Sequence, residues 1–506
     1  MTNHRTTPLL LALATATALT AAAVPAASAA PAEPGRSGTS APRLDWRPCA
    51  KPGGPAIQEC ADLPVPLDYA DPAGPQISVA VSRIRSDRPE ARRGTLVVIP
   101  GGPGGSGVQR LTQKGAALQK QLAGAYDLVA LDPRGVGGST TASCGLAPED
   151  RHLTTLRSWP GPGGDVTGNL ARSQRVAEAC AANGGAVLRS FTTANQVRDM
   201  DRLRAALGER RISAWGVSYG TYVGAVYAQT HPGRTDRWVL DSSGDPDPRR
   251  VARGWLANMG EGADDRFPDF AAWAAHPDRD GQGLRLARSP EEVEPLVLSL
   301  ADSLDRAPRP STTPGVPLTG NGLRQALQNA LYGDSAFPGL ARLLLTLRDP
   351  QATPVLPPEL AQPLRDQDAS QTAAVICNDV AWPLPSAADQ QRAVDEDRAR
   401  HPLTAGMPVN VTPCSFWKTP PTTPPVRITD RGPSDILMIQ SRKDPATPHS
   451  GSLKMRQALG KRAVMVTVEQ GGHGVYLGNG NACGDAAVTR FLTTGTRPAR
   501  DTDCPN

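Results

Sequence analysis

Short apolar runs, each broken by a glycine-rich or acidic loop, alternate with amphipathic stretches through the first half of the chain. Thr95–Ile99, Tyr126–Asp132, Arg211–Trp215 and Trp238–Asp241 are continuous enough to be strands buried on both faces of a sheet. Between them, Val197, Met200, Leu203 and Leu207 recur on one face of a helix predicted over 194–207. Thr221–Ala228 predicts a second helix, closed by His231-Pro232-Gly233. Strand–helix alternation of this kind predicts an α/β fold with a mostly parallel sheet. From Ser243 to Gly432 the alternation stops. Helical patches at 298–304, 322–331 and 340–347 are separated there by proline-rich loops, which predicts an inserted, mostly helical cap. The core resumes with apolar runs at Asp435–Ile439 and Ala463–Val468. The expected organisation is therefore a core in two parts, 43–242 and 433–506, flanking a cap over 243–432.

The amino terminus follows a different pattern. His4 and Arg5 precede an apolar run from Leu9 through Ala23 and Val24, and Ala27-Ser28-Ala29 offers a cleavage site. Residues 1–29 are thus expected to be a signal peptide, and 30–42, rich in Pro, Gly and Ser, a linker or short pro-segment. No cysteine follows the apolar run, which argues against a lipid anchor, and no other run is long enough to cross a bilayer. A soluble, secreted protein is expected. Its eight cysteines fit an oxidising compartment, and none shows the C-x-x-C spacing of a zinc site. Eight cysteines allow on the order of a hundred connectivities. Pairing of sequence neighbours is the expectation: Cys49–Cys60, Cys144–Cys180, Cys377–Cys414 and Cys483–Cys504. A net charge of +5 with no long basic run gives no sign of a nucleic-acid partner.

Candidate chemistry begins at Gly216-Val217-Ser218-Tyr219-Gly220, which fits G-x-S-x-G between a predicted strand and a predicted helix. A serine on that turn is lifted clear of the sheet, with free helical N–H groups beside it. It needs a base, and the base a carboxylate to orient it. Of the seven histidines, His4 lies in the leader; His231, His276 and His401 sit in His-Pro pairs; His152 is in a polar loop. His449 is expected on the helix after Pro448, facing away. His473 alone sits in a glycine-rich loop after a terminal strand, Gly471-Gly472-His473-Gly474. Asp444 follows its strand directly, whereas Asp435 precedes the same strand; Asp241 and Asp379 are the other candidates. The order Ser218, Asp444, His473 is that of α/β-hydrolases. Thr447 can either bond the Asp444 carboxylate or cap the following helix, the commoner role. Oxyanion donors are expected from the backbone N–H groups of Tyr219 and Gly102. The loop at 100–107 lacks the Lys-Ser/Thr ending of a phosphate-binding loop.

Gly101-Gly102-Pro103-Gly104-Gly105, Asp132-Pro133-Arg134-Gly135-Val136-Gly137-Gly138-Ser139 and the Ser218 motif together resemble the prolyl-iminopeptidase-like serine exopeptidases. The leader, the cap, Asp444-Pro445-Ala446-Thr447-Pro448 and the His473 loop are more specifically similar to the secreted tripeptidyl aminopeptidases of actinomycetes. Pro100 stands where prolyl iminopeptidases usually carry His, and the tripeptidyl branch lacks that His. The resemblance spans about Trp46 to Cys504. It implies an α/β-hydrolase core and an exopeptidase that removes short peptides from free peptide or protein N-termini; triad chemistry needs no metal or organic cofactor, and a monomer is expected. Such an enzyme must hold an ammonium, and Asp379 is the candidate carboxylate, with Glu261, Asp264 and Asp265 behind it. The same triad would also serve a secreted carboxylesterase or lipase, although this cap is polar and poor in aromatics. A non-catalytic binding protein on a hydrolase scaffold is the remaining alternative, against which the intact triad counts.

Overall fold

The structure is a computed structural model and describes residues 42–505. The leader, and the linker as far as residue 41, lie outside the described residues. In chain order the strands are β1 (Arg47–Pro48), β2 (Glu59–Pro66), β3 (Gln76–Ile84), β4 (Gly94–Ile99), β5 (Tyr126–Leu131), β6 (Ile212–Val217), β7 (Thr235–Asp241), β8 (Ile436–Lys443), β9 (Ala463–Gly471) and β10 (Thr502–Cys504). They form one sheet in the order β1-β2-β3-β5-β4-β6-β7-β8-β9-β10. Every neighbouring pair from β5 to β10 is parallel. β1 to β3 add an antiparallel edge to it.

Burial explains which strands were continuous apolar runs. All six residues of β6 are buried, as are the last five of β4. β3, near the edge, instead alternates buried and half-buried positions. One face of the sheet packs Val197, Met200 and Leu203 of the helix Thr193–Ala206, and Tyr222, Val223 and Val226 of the helix Tyr219–Thr230. The other face packs Leu111, Leu118 and Leu122 of Gly107–Leu122 against Val488, Phe491 and Leu492 of Ala482–Thr494.

Chain order reverses at β4, with β5 on one side and β6 on the other. Ligand sites of open parallel sheets lie beyond the carboxyl ends of strands at such a point. The pairings Ile99 with Gly216, Val217 with Asp241 and Asp241 with Ile439 bring the ends of β4, β6, β7 and β8 level.

The long connection from β7 to β8 contains the helices Val251–Ala275, Val293–Arg306, Gly320–Ala330, Phe337–Arg348, Asp366–Asp379 and Ala387–Arg400, with one isolated bridge, Arg309 to Leu318, and no strand. Several of them share an apolar cluster of their own, including Phe267, Phe270, Val297, Leu323, Phe337 and Leu344. The fold is thus an α/β-hydrolase core with a large helical cap. The four disulfides pair sequence neighbours: Cys49–Cys60, Cys144–Cys180, Cys377–Cys414 and Cys483–Cys504. Each such bond stabilises by about 2–4 kcal/mol. Among the described residues no helix is long and apolar enough to cross a membrane.

Candidate active site

Ser218 stands between β6 and the helix Tyr219–Thr230 with φ 58° and ψ −127°. A side chain in this left-handed region is strained, and the strain is held by a turn that only glycines permit on either side. A methyl group on Gly216 would fall 2.5 Å from the Gly220 carbonyl oxygen, and one on Gly220 would fall 2.5 Å from that of Ile99. The loop after β4 reaches the same turn, since a methyl on Gly101 would lie 2.8 Å from Ser218 Cβ. Gly102 follows with φ 118°, and Tyr219 is the first residue of its helix, where a backbone N–H has no partner within the helix.

The loops after β8 and β9 meet beside this turn. His473 Nδ1 lies 2.9 Å from both carboxylate oxygens of Asp444. Asp444 Oδ1 also accepts the backbone N–H groups of Ala446 and Thr447 at 2.9 and 2.8 Å, and Oδ2 accepts Thr447 Oγ1 at 3.1 Å. The Asp444 side chain is fully buried and that of His473 is one-tenth exposed. An ionised carboxylate only accepts, so Nδ1 carries the proton and Nε2 is left free to take one. Thr447 therefore does not cap the helix His449–Leu459, whose first turn has no side-chain cap. Its single hydroxyl hydrogen is shared between the carboxylate and the Ser242 carbonyl oxygen, the latter at 3.0 Å. His449 Nε2 sits 3.4 Å from Thr467 Oγ1. Asp435 stays at the other end of β8, where its carboxylate accepts Thr235 Oγ1 at 2.5 Å.

Residues 401–504, which contain Asp444 and His473, match a family model described as TAP-like protein. The chain is 33% identical to the tripeptidyl aminopeptidase of Streptomyces lividans, over 91% of this chain and 86% of that one. The chain belongs to the tripeptidyl aminopeptidase family. It is also 29% identical to the serine protease Hip1 of Mycobacterium tuberculosis over 93% of each chain, and 30% identical to a carboxylesterase B of Mycobacterium tuberculosis over 95% of each. A serine hydrolase of the aminopeptidase type is what family and fold give together.

In this family member the remaining acids part company. Asp379, the last residue of the helix Asp366–Asp379, is half-buried and accepts the Thr193 backbone N–H at 2.9 Å, Thr193 Oγ1 at 2.6 Å and Tyr219 Oη at 2.9 Å. None of these donors is charged, and burial holds its carboxyl above the usual aspartate range. The Cys377–Cys414 disulfide ties down the same turn. Glu261, Asp264 and Asp265 lie instead on the helix Val251–Ala275, which passes behind the acid loop. A methyl on Gly262 there would meet the Asp444 carbonyl oxygen at 2.9 Å. Asp264 pairs with His401 at 2.5 Å, and Glu261 accepts Ser450 Oγ at 3.1 Å. Burial and the two neighbouring acids raise the Asp265 carboxyl.

Three contributors escaped sequence reasoning. The Tyr332 carbonyl oxygen accepts the His473 backbone N–H at 2.9 Å, and its ring stands edge-to-face with the imidazole at 5.1 Å. Gln371 Oε1 would lie 2.7 Å from a methyl on Gly104, so the cap rests directly on the glycine-rich loop. Thr193 supplies two of the Asp379 donors. Nothing in their local sequence marks them, because each acts through a contact made across the fold.

Proposed function

We propose that this protein is a secreted serine exopeptidase that releases short peptides, three residues at a time, from free N-termini. Ser218 Oγ attacks the scissile carbonyl carbon, and His473 Nε2 takes its proton. Asp444 steadies the imidazolium through Nδ1. The negative oxygen of the tetrahedral intermediate takes hydrogen bonds from the backbone N–H groups of Tyr219 and Gly102, each such donor being worth roughly 10²–10³ in rate. His473 then returns the proton to the leaving amine, and the carboxyl-terminal remainder departs. Water, activated by the same imidazole, hydrolyses the Ser218 ester and frees the short peptide.

The observation that carries this reading is the His473–Asp444 pair, its Nδ1 committed at 2.9 Å, beside the strained Ser218 turn in a chain of this family. Exopeptidase specificity needs a carboxylate for the substrate ammonium, and we assign that role to Asp379. Tyr219 supports the assignment by serving both ends: its backbone N–H is the oxyanion donor of this reading and its hydroxyl donates to Asp379 at 2.9 Å. Four disulfides fit export to an oxidising compartment.

The similarity to a carboxylesterase B favours a second reading, ester hydrolysis by the same triad. Mass spectrometry of the products from an unblocked peptide and its N-acetylated twin separates the two, with a short p-nitrophenyl ester alongside. Ordered release of tripeptides from the free peptide alone is expected. Equal cleavage of both peptides would remove the aminopeptidase reading, and ester turnover without peptide cleavage would replace it by the second.

A further inference from the structure

The triad residues come from three separate loops, and one dipeptide touches all three loops. Asp241 ends β7, between Val217 of β6 and Ile439 of β8. It and Ser242 are completely buried. The Asp241 backbone carbonyl oxygen accepts the Ser218 N–H at 2.9 Å, and that of Ser242 accepts Thr447 Oγ1, which also holds Asp444, at 3.0 Å. The side chains reach the third loop. Asp241 Oδ1 accepts the Val475 N–H at 2.8 Å, Oδ2 accepts the Tyr476 N–H at 2.9 Å, and Ser242 Oγ accepts the Gly474 N–H at 2.9 Å. Three consecutive amides after His473 thus end on two side chains. Trp215 Nε1 at 3.2 Å and Ser242 Oγ at 3.1 Å complete the donors to the Asp241 carboxylate.

We propose that Asp241 and Ser242 are positioning residues of the catalytic site, fixing the His473 loop against the Ser218 turn and the Asp444 loop. Neither touches the reacting atoms. The role rests on the Ser218–His473–Asp444 assignment above. Ser242 itself points the same way: its φ of 64° lies where glycine is less strained, and only its hydroxyl supplies the bond to Gly474. Asp241 was a candidate triad acid from sequence. In the fold its carboxylate is spent on backbone amides two and three residues past the base, not on the imidazole.

The test uses Ser242→Gly and Asp241→Asn in the full chain, with kcat and KM on a free tripeptidyl anilide, the labelling rate of Ser218 by a fluorophosphonate, and Tm. Ser242→Gly removes the hydroxyl and relieves the backbone, so it should melt at or above the parent temperature. Its kcat should nevertheless fall about 10-fold at unchanged KM, because misplacing a catalytic group by about 1 Å can cost roughly 10²-fold. Asp241→Asn presents N–H groups to an amide donor and should lose about 10²-fold in kcat, with labelling slowed in proportion. Parental kcat and labelling in Ser242→Gly would overturn the proposal, whether or not Asp241→Asn folds. A fall in Tm alone would do the same. Turnover and labelling that survive Ser218→Ala would instead bring down the underlying assignment, an outcome distinct from either.

Discussion

The carboxyl edge of the sheet and the helical cap both face Ser218, but they are held together by different forces. At the sheet edge, polar bonds fix the groups: backbone amides run to Asp444, Asp241 and Ser242, all buried. The cap adds an apolar cluster of its own, with Phe270 and Phe337 edge-to-face at 5.2 Å, separate from those of the core. Directional bonds define positions to fractions of an ångström, whereas apolar burial supplies stability with less demand on angle. On the function proposed above, the chemistry resides in the first region and the choice of substrate in the second. The two share a seam at Tyr332, which is cap by sequence yet holds the His473 backbone.

The hardest way to strike the comparison is at the sheet edge. Ser218→Ala and His473→Ala should each lower kcat by about 10⁴-fold or more, and Asp444→Asn by roughly 10⁴-fold through loss of the correct imidazole tautomer. Circular dichroism and Tm should stay at parental values for Ser218→Ala, whose hydroxyl holds no other part of the fold in place. Turnover of a peptide anilide near the parental rate in either alanine variant would mean that the chemistry lies elsewhere.

The unequal legibility of the two regions has the same physical origin. Strands buried on both faces write continuous apolar runs, and loops at their ends must carry the glycines, acid and base, so Ser218, Asp444 and His473 stand out in the sequence. The cap was visible only as patches. Its longest helix, Val251–Ala275, carries Pro268 and glycines at 254, 260 and 262, all of which read as breakers. Two of these glycines are tertiary requirements: a methyl on Gly260 would meet the His401 ring at 2.9 Å, and one on Gly262 the acid loop. The edge strands β2 and β3 were missed because their alternation is weaker than an apolar run. Thr447 stood open between two roles in the sequence, since a threonine before a helix is usually its cap; in the fold its hydroxyl bonds the nearby buried carboxylate instead.

A cut in the cap should have a smaller and different effect. Phe337 is almost fully buried against Phe270 and Trp273, with the Arg266 guanidinium carbon 5.0 Å above its ring. Phe337→Ala should cost about 3–5 kcal/mol in stability. Below its melting temperature the variant should still react with a small fluorophosphonate at Ser218 near the parental rate, while KM for peptides rises. Labelling lost in step with peptide turnover, in protein still folded by circular dichroism, would show that the two regions are not separable.

The finest test falls where cap and core meet at Asp379. Asp379→Asn keeps the shape and the acceptor oxygen but removes the charge, so KM for free peptides should rise about 10- to 100-fold, the size of one ammonium–carboxylate interaction of roughly 1.5–3 kcal/mol. An N-acetylated ester, which has no ammonium to hold, should be turned over unchanged. The pH dependence sharpens this. Burial raises the Asp379 carboxyl, so the ionised form is lost on acidification at a higher pH than for an ordinary aspartate. KM for free peptides should therefore climb as pH falls through that raised value, and KM for the ester should not. In Asp379→Asn the climb should vanish. If Asp379 merely anchors Tyr219, the variant will instead lower kcat for peptide and ester alike and leave both KM values where they were, and the amine site must then be sought on another wall of the cap.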